Sequence, residues 1–148
     1  EDIMVVFKKI LVPVDFSDAS KKSVNHGLSL ALQHNGQLLL THIVPVSAGL
    51  FSTNPADRLA VERKQARQAE SVLPLLVPEE FRERVELRTI VKVGPVKEDI
   101  LDIVHDEKIE LVVMGTHGRT GLSHVLAGSV TERVVRDAPC PVLAVPAS

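Results

Sequence analysis

Tryptophan and tyrosine are missing from this chain, and only four phenylalanines stand among its 148 residues. Stacking platforms for single-stranded nucleic acid are therefore scarce, and a net charge of −2 gives no electrostatic reason for a polyanion or an anionic membrane as partner. A single cysteine, Cys140, excludes an internal disulfide and suits a reducing compartment. No apolar run approaches the roughly 18 residues that a membrane-crossing helix needs. The segment "EDIMVVFKKI" shows no basic region leading into a long apolar stretch, so no secretory signal is expected. Lysine is absent after Lys108, which removes the P-loop pattern G-x-x-x-x-G-K-[ST] from the glycine-rich segment beyond it. These absences predict a cytoplasmic protein with neither nucleic acid nor membrane as partner.

What is present is 45% hydrophobic residues, arranged as short apolar runs alternating with helical periodicity. The runs "KKILVPVD", "QLLLTHIV", "VELRTIV", "LVVMG" and "PVLAVP" read as five strands. The first is too continuously apolar for one solvated face, and the third alternates as an exposed sheet edge would. Between the strands lie four helical patterns. Ser17 is placed to cap the first and Asn35-Gly36 to stop it. A loop over "PVSAGLFSTNPAD" precedes the second, which starts near Pro55 and meets a breaker at Pro74. The third carries Val96, Ile100, Ile103 and Val104 inward. The order β-α-β-α-β-α-β-α-β predicts a doubly wound α/β fold, a five-stranded parallel sheet with helices on both faces. One domain over residues 4–147 is expected, with Glu1 to Ile3 as a remnant ahead of a native start at Met4.

Such sheets bind ligands beyond the carboxyl ends of their strands, where the winding reverses. Pro13-Val14-Asp15 ends the first strand, and Met114-Gly115 ends the fourth. If those strands are neighbours, an acid faces a glycine-rich loop across one crevice. The acid can hold a ribose hydroxyl or a metal ion, and backbone N–H groups of the loop can hold polyphosphate. Asp15 can equally serve as a cap for the helix that begins near Ser17. The dinucleotide pattern G-x-G-x-x-G does not follow the first strand, where the turn reads "DFSDAS".

The loop instead shows Gly115-x-x-Gly118, nine residues, then Gly128-Ser129. Together with "ILVPVDFS", "LLLTHIV", "VGPV", "ELVVMGTHGRTGL", "LAGSVTERVV" and "CPVLAVP", this resembles the ATP-binding branch of the universal stress protein family over nearly the whole chain. The resemblance implies the strand order 3-2-1-4-5 and a nucleotide site. In that site Asp15, after Pro13 and Val14, binds the ribose, while Pro13 and Ile43 sit near the adenine. Met114 and Gly115 pass along the sugar and α-phosphate. Gly118, Gly128, Ser129 and the N–H of Val130 contact the phosphates, with Arg119 as the nearby side-chain cation. Ser129 is expected both to cap the helix it opens and to bind phosphate. Without a P-loop lysine, Mg²⁺ or Mn²⁺ is expected to share the charge of ATP, or of AMP or ADP in its place.

Other residues carry plainer expectations. The six histidines, His26, His34, His42, His105, His117 and His124, show no metal-binding helical spacing. Cys140 reads as a packed residue beside the last strand. Glu132 and Arg136, four apart, read as a helix-surface ion pair. No general base for activating water stands out, so the chain reads as a nucleotide-dependent switch in stress response, at most a slow ATPase. The alternative is a dimeric interaction module of the same fold without nucleotide. A homodimer through the fifth strand is expected in either case, because "CPVLAVP" is an apolar edge without protective lysine. Signatures of adenylate-forming enzymes are absent.

Overall fold

The computed structural model describes residues 3–46, 54–116 and 128–147. The strands are β1 (Lys9–Pro13), β2 (Gln37–Pro45), β3 (Glu86–Gly94), β4 (Leu111–Gly115) and β5 (Val142–Val145). The helices are α1 (Asp18–His34), α2 (Pro55–Val72), α3 (Glu79–Arg82), α4 (Val96–Asp106) and α5 (Ser129–Asp137). All strand pairings are parallel, in the order β3-β2-β1-β4-β5. The doubly wound sheet predicted from the sequence is thus present. The short α3 and a 3-10 turn over Leu73–Leu76 are additions that the apolar pattern did not reveal. Pro74 is the reason for the latter, since it lacks the N–H that would carry α2 onward.

Alternation along the central strands sorts the core into two layers. Ile10, Val12, Val14, Leu38, Leu40, Leu111 and Val113 point one way, onto Val24, Leu28 and Ala31 of α1 and Leu73 after α2. Leu11, Leu39, Ile43, Val112 and Met114 point the other way, onto Ile100, Ile103 and Val104 of α4 and Val134 of α5. Each fully buried Leu or Ile of this kind contributes about 1.5–3 kcal/mol. Both faces are covered, which is why β1 and β4 read as unbroken apolar runs. At the edge, β3 keeps several exposed side chains, as its alternating sequence predicts.

The end of the sheet opposite the candidate site is held by two consecutive lysines. Neighbouring residues of an extended segment point to opposite faces. Lys8 Nζ accordingly donates to the His34 carbonyl at the end of α1 (2.8 Å), and Lys9 Nζ to the Glu107 carbonyl after α4 (2.9 Å). Each ammonium meets the negative end of a helix dipole on its own side of the sheet. Ser17 caps α1 through the Ser20 N–H (3.2 Å), and Asn35 closes it in the left-handed region at φ 51°. Among the described residues no helix is long and apolar enough to cross a membrane.

Candidate functional site

The chain lays β2 and β3 on one side of β1, then crosses to place β4 and β5 on the other. The winding therefore reverses between β1 and β4, whose registered pairs are Ile10 with Leu111 and Leu11 with Val112. A crevice beyond the strand ends is the geometric consequence of that reversal. Pro13, Val14 and Asp15 reach it from β1, and Met114 and Gly115 from β4. Gly128, Ser129 and Val130 reach the same end by another tie. Thr131 Oγ1 donates to the Gly115 carbonyl at 2.6 Å, which holds the first turn of α5 against the end of β4.

Residue by residue, the structure distributes these groups unevenly. Asp15 is half-buried, and its Oδ1 accepts the Ser17 N–H at 2.9 Å. It thus shapes the turn into α1, while the cap itself is the Ser17 hydroxyl. Val14 is buried, and its N–H donates to Thr41 of β2 at 2.7 Å. Ile43 and Met114 lie in one apolar layer, the one covered by α4 and α5, with little surface left exposed. Pro13 is half-buried and pairs with Thr41 of β2. Gly118 and Arg119, like His117 and His124, lie outside the described residues, as does most of the loop expected before α2.

The two described glycines of the loop serve different ends. A Cβ on Gly115 would stand 2.8 Å from Ala19 Cβ and 3.1 Å from the Ala19 carbonyl carbon. That glycine lets the first turn of α1 lie against β4. Among the described residues a Cβ on Gly128 would meet nothing closer than the Thr116 carbonyl oxygen at 3.7 Å, and φ there is an ordinary −100°. Among the described residues nothing therefore fills that position.

Three expectations are corrected here. Ser129 is not the N-cap of α5; Gly128 occupies that position, and among the described residues no side chain caps the helix. Ser129 is the first helical residue, and the anchoring hydroxyl is that of Thr131 instead. The first-turn N–H groups of a helix have no intrahelical acceptor, so an N-cap without a side chain keeps them available to an anion. Glu132 and Arg136 do not form the predicted pair. Arg136 Nε lies 3.5 Å from Asp137 Oδ1, and Arg133 also binds Asp137, one turn along. The two guanidinium groups hold the Asp137 carboxyl below the usual carboxylate range, chiefly through the hydrogen bond from Arg133. Val145, part of the apolar edge expected at the fifth strand, is buried in the layer beneath α1, and Leu143 is the exposed large apolar residue of β5.

Cys140 is half-buried beside the layer that Val112 and Val142 share, and burial pushes its thiol up. His26 and His105 bind groups on their own helices, and His34 Nδ1 accepts the Phe7 N–H at 3.1 Å. Among the described residues no group of three histidine, cysteine or acidic side chains is placed to hold a metal ion. Sequence reasoning missed Thr131 and the turn at Phe16, where φ is +65°. Nothing in "GSVTERVV" distinguishes an anchoring threonine from a solvated one.

A model of the universal stress protein family matches residues 7–146. The chain belongs to that family. Universal stress protein MJ0531 of Methanocaldococcus jannaschii is 32% identical over 142 residues, spanning 95% of this chain and 82% of that one. The solved structure of universal stress protein UspA from Lactobacillus plantarum shares 28% identity and a TM-score of 0.82, with 96% of this chain and 99% of that chain covered. A universal stress protein from Archaeoglobus fulgidus, solved in complex with dAMP, shares the fold at a TM-score of 0.60 and 20% identity over 95% of this chain and 99% of that one. This universal stress protein therefore shares both sheet order and overall architecture with solved relatives.

Proposed function

We propose that this universal stress protein binds ATP together with Mg²⁺ or Mn²⁺ in the crevice between β1 and β4. AMP or ADP would occupy the same place. The carrying observation is the tie from Thr131 to the Gly115 carbonyl, which sets the N-terminus of α5, uncapped among the described residues, at the end of β4, the strand beside the one that leads to Asp15. In this reading Asp15 accepts from the ribose hydroxyls, and Pro13 and Ile43 border the adenine, with Val14 between Pro13 and the acid. Met114 and Gly115 line the sugar side. The N–H groups of Ser129 and Val130, the gap at Gly128, and the residues Gly118 and Arg119 take the phosphates. Oriented N–H dipoles and a helix terminus supply the electrostatics that a P-loop lysine would otherwise give. Ordering of the glycine loop by ATP would change the surface offered to partners, which is a switch in the stress response. Hydrolysis is at most slow in this account. The protein acts in the cytoplasm, as one domain over residues 4–147, and as a homodimer through β5.

The test is a direct titration of ATP against GTP, with and without Mg²⁺, alongside identification of any nucleotide released on heating the purified protein. Tighter binding of ATP is expected, because an apolar slot leaves backbone groups to read the base edge. Equal affinity for GTP would overturn the adenine assignment. One observation favours a second reading, a dimeric interaction module without nucleotide: the missing side chain of Gly115 is already explained by Ala19. A dimer that binds neither nucleotide would establish that reading instead.

A further inference from the structure

We infer that His42 is a positioning residue that fixes the turn carrying Asp15. His42 Nδ1 stands 2.6 Å from the Val14 carbonyl oxygen, which can only accept, so Nδ1 carries the proton and donates. The Val14 N–H is held from the same strand by the Thr41 carbonyl at 2.7 Å. Both backbone polar groups of Val14 are thereby bound to β2, one residue beyond the last registered pair, Pro13 with Thr41. The chain must then leave the sheet sharply. It does so through Phe16, a residue with a side chain in the left-handed region at φ 65°. A left-handed aromatic residue is strained and persists only where its surroundings hold it.

The surroundings that hold it include His42. Its ring lies 4.8 Å from the Phe16 ring at 46°, a tilted aromatic contact. One imidazole thus grips the turn on both sides of Asp15, at the Val14 carbonyl before it and at the Phe16 ring after it. Asp15 Oδ1 completes the turn by accepting the Ser17 N–H. The direction of the carboxylate is set by a side chain on a neighbouring strand, and local sequence preference alone would not select it. That the carboxylate then meets a ribose rests on the ATP reading above; the latch itself does not.

The experiment separates the two. In nucleotide-free protein labelled with ¹⁵N, the His42 ring should show a protonated Nδ1. His42→Asn puts an amide N–H where Nδ1 stands and gives up the ring. His42→Phe keeps a ring beside Phe16 and gives up the donor, and His42→Gln moves the donor to the wrong place. Amide exchange at Ser17 should quicken at least tenfold in His42→Phe and His42→Gln and stay within about threefold of wild type in His42→Asn. The dissociation constant for ATP should rise tenfold or more in the same two variants and be rescued in His42→Asn. A protonated Nε2 with bare Nδ1, or Ser17 exchange unchanged in the variants that lack the donor, would overturn the latch. If exchange responds as expected while the wild type binds no ATP, the latch stands and the nucleotide reading falls. Should His42→Phe fail to fold, His42→Gln against His42→Asn makes the same comparison.

Discussion

Gly115 and Gly128 flank one loop, and the family resemblance assigns both to the nucleotide, yet their surroundings predict opposite responses to the same added methyl. In Gly115→Ala the new Cβ would press on Ala19 Cβ at 2.8 Å and on the Ala19 backbone at 3.1 Å. Ala19 is buried in the first turn of α1, and neither contact is with the far end of a flexible side chain. The helix must move as a unit, and overpacking of this kind costs about 1–3 kcal/mol. For a chain of this size that corresponds to a melting temperature lower by about 3–10 °C. In Gly128→Ala the new Cβ has 3.7 Å to its nearest neighbour among the described residues and a backbone any residue adopts, so the described surroundings add no strain. The entropy gained by leaving glycine, about 0.4–1 kcal/mol, opposes a comparable loss of N-cap preference. Stability should stay within about 1 kcal/mol of wild type. The methyl would instead occupy the phosphate path, so ATP affinity should fall at least tenfold, or about 1.4 kcal/mol. Urea unfolding and calorimetric titration of both variants read the two effects separately. A Gly115→Ala protein as stable as wild type would refute the packing argument. Wild-type ATP affinity in a folded Gly128→Ala protein would refute the phosphate assignment.

Two further outcomes follow from the geometry. Leu143 is exposed on β5, and Leu143→Lys should convert a dimer to monomer in sedimentation with little change in stability; wild type sedimenting as a monomer at high concentration would remove the premise. Val145→Lys does not serve here, since a charge placed in the buried layer beneath α1 would unfold the chain. The hydrogen bond from Arg88 holds the Glu107 carboxyl below the usual carboxylate range, with the attraction of that guanidinium added. A lowered carboxylate contributes stability above its unfolded value and loses it as pH falls through the folded one. Arg88→Met should therefore be less stable than wild type at neutral pH and equal to it in acid below the carboxylate range. A difference that persists in acid would show that the arginine acts through packing.

The alternation of apolar runs with 3.6-residue periodicity was enough to determine five strands, the four longer helices and the parallel winding. That is because β1 and β4 are buried on both faces and their sequences show it without interruption. Ser17 and Asn35 marked the ends of α1 because caps are local chemistry, decided within a few residues. The strand ends were legible from element order, while the reversal between β1 and β4 came from the family resemblance and is present in the sheet order. Tertiary structure alone decided which glycine makes room for a helix and which leaves a gap, since a glycine's purpose is set by what lies opposite its absent side chain. It also replaced Ser129 by Gly128 as the cap and gave the anchoring role to Thr131, two residues further on. His42 is the clearest instance. In sequence it is one histidine among six; in the fold it reaches 28 residues back to the Val14 carbonyl, a distance no local pattern encodes.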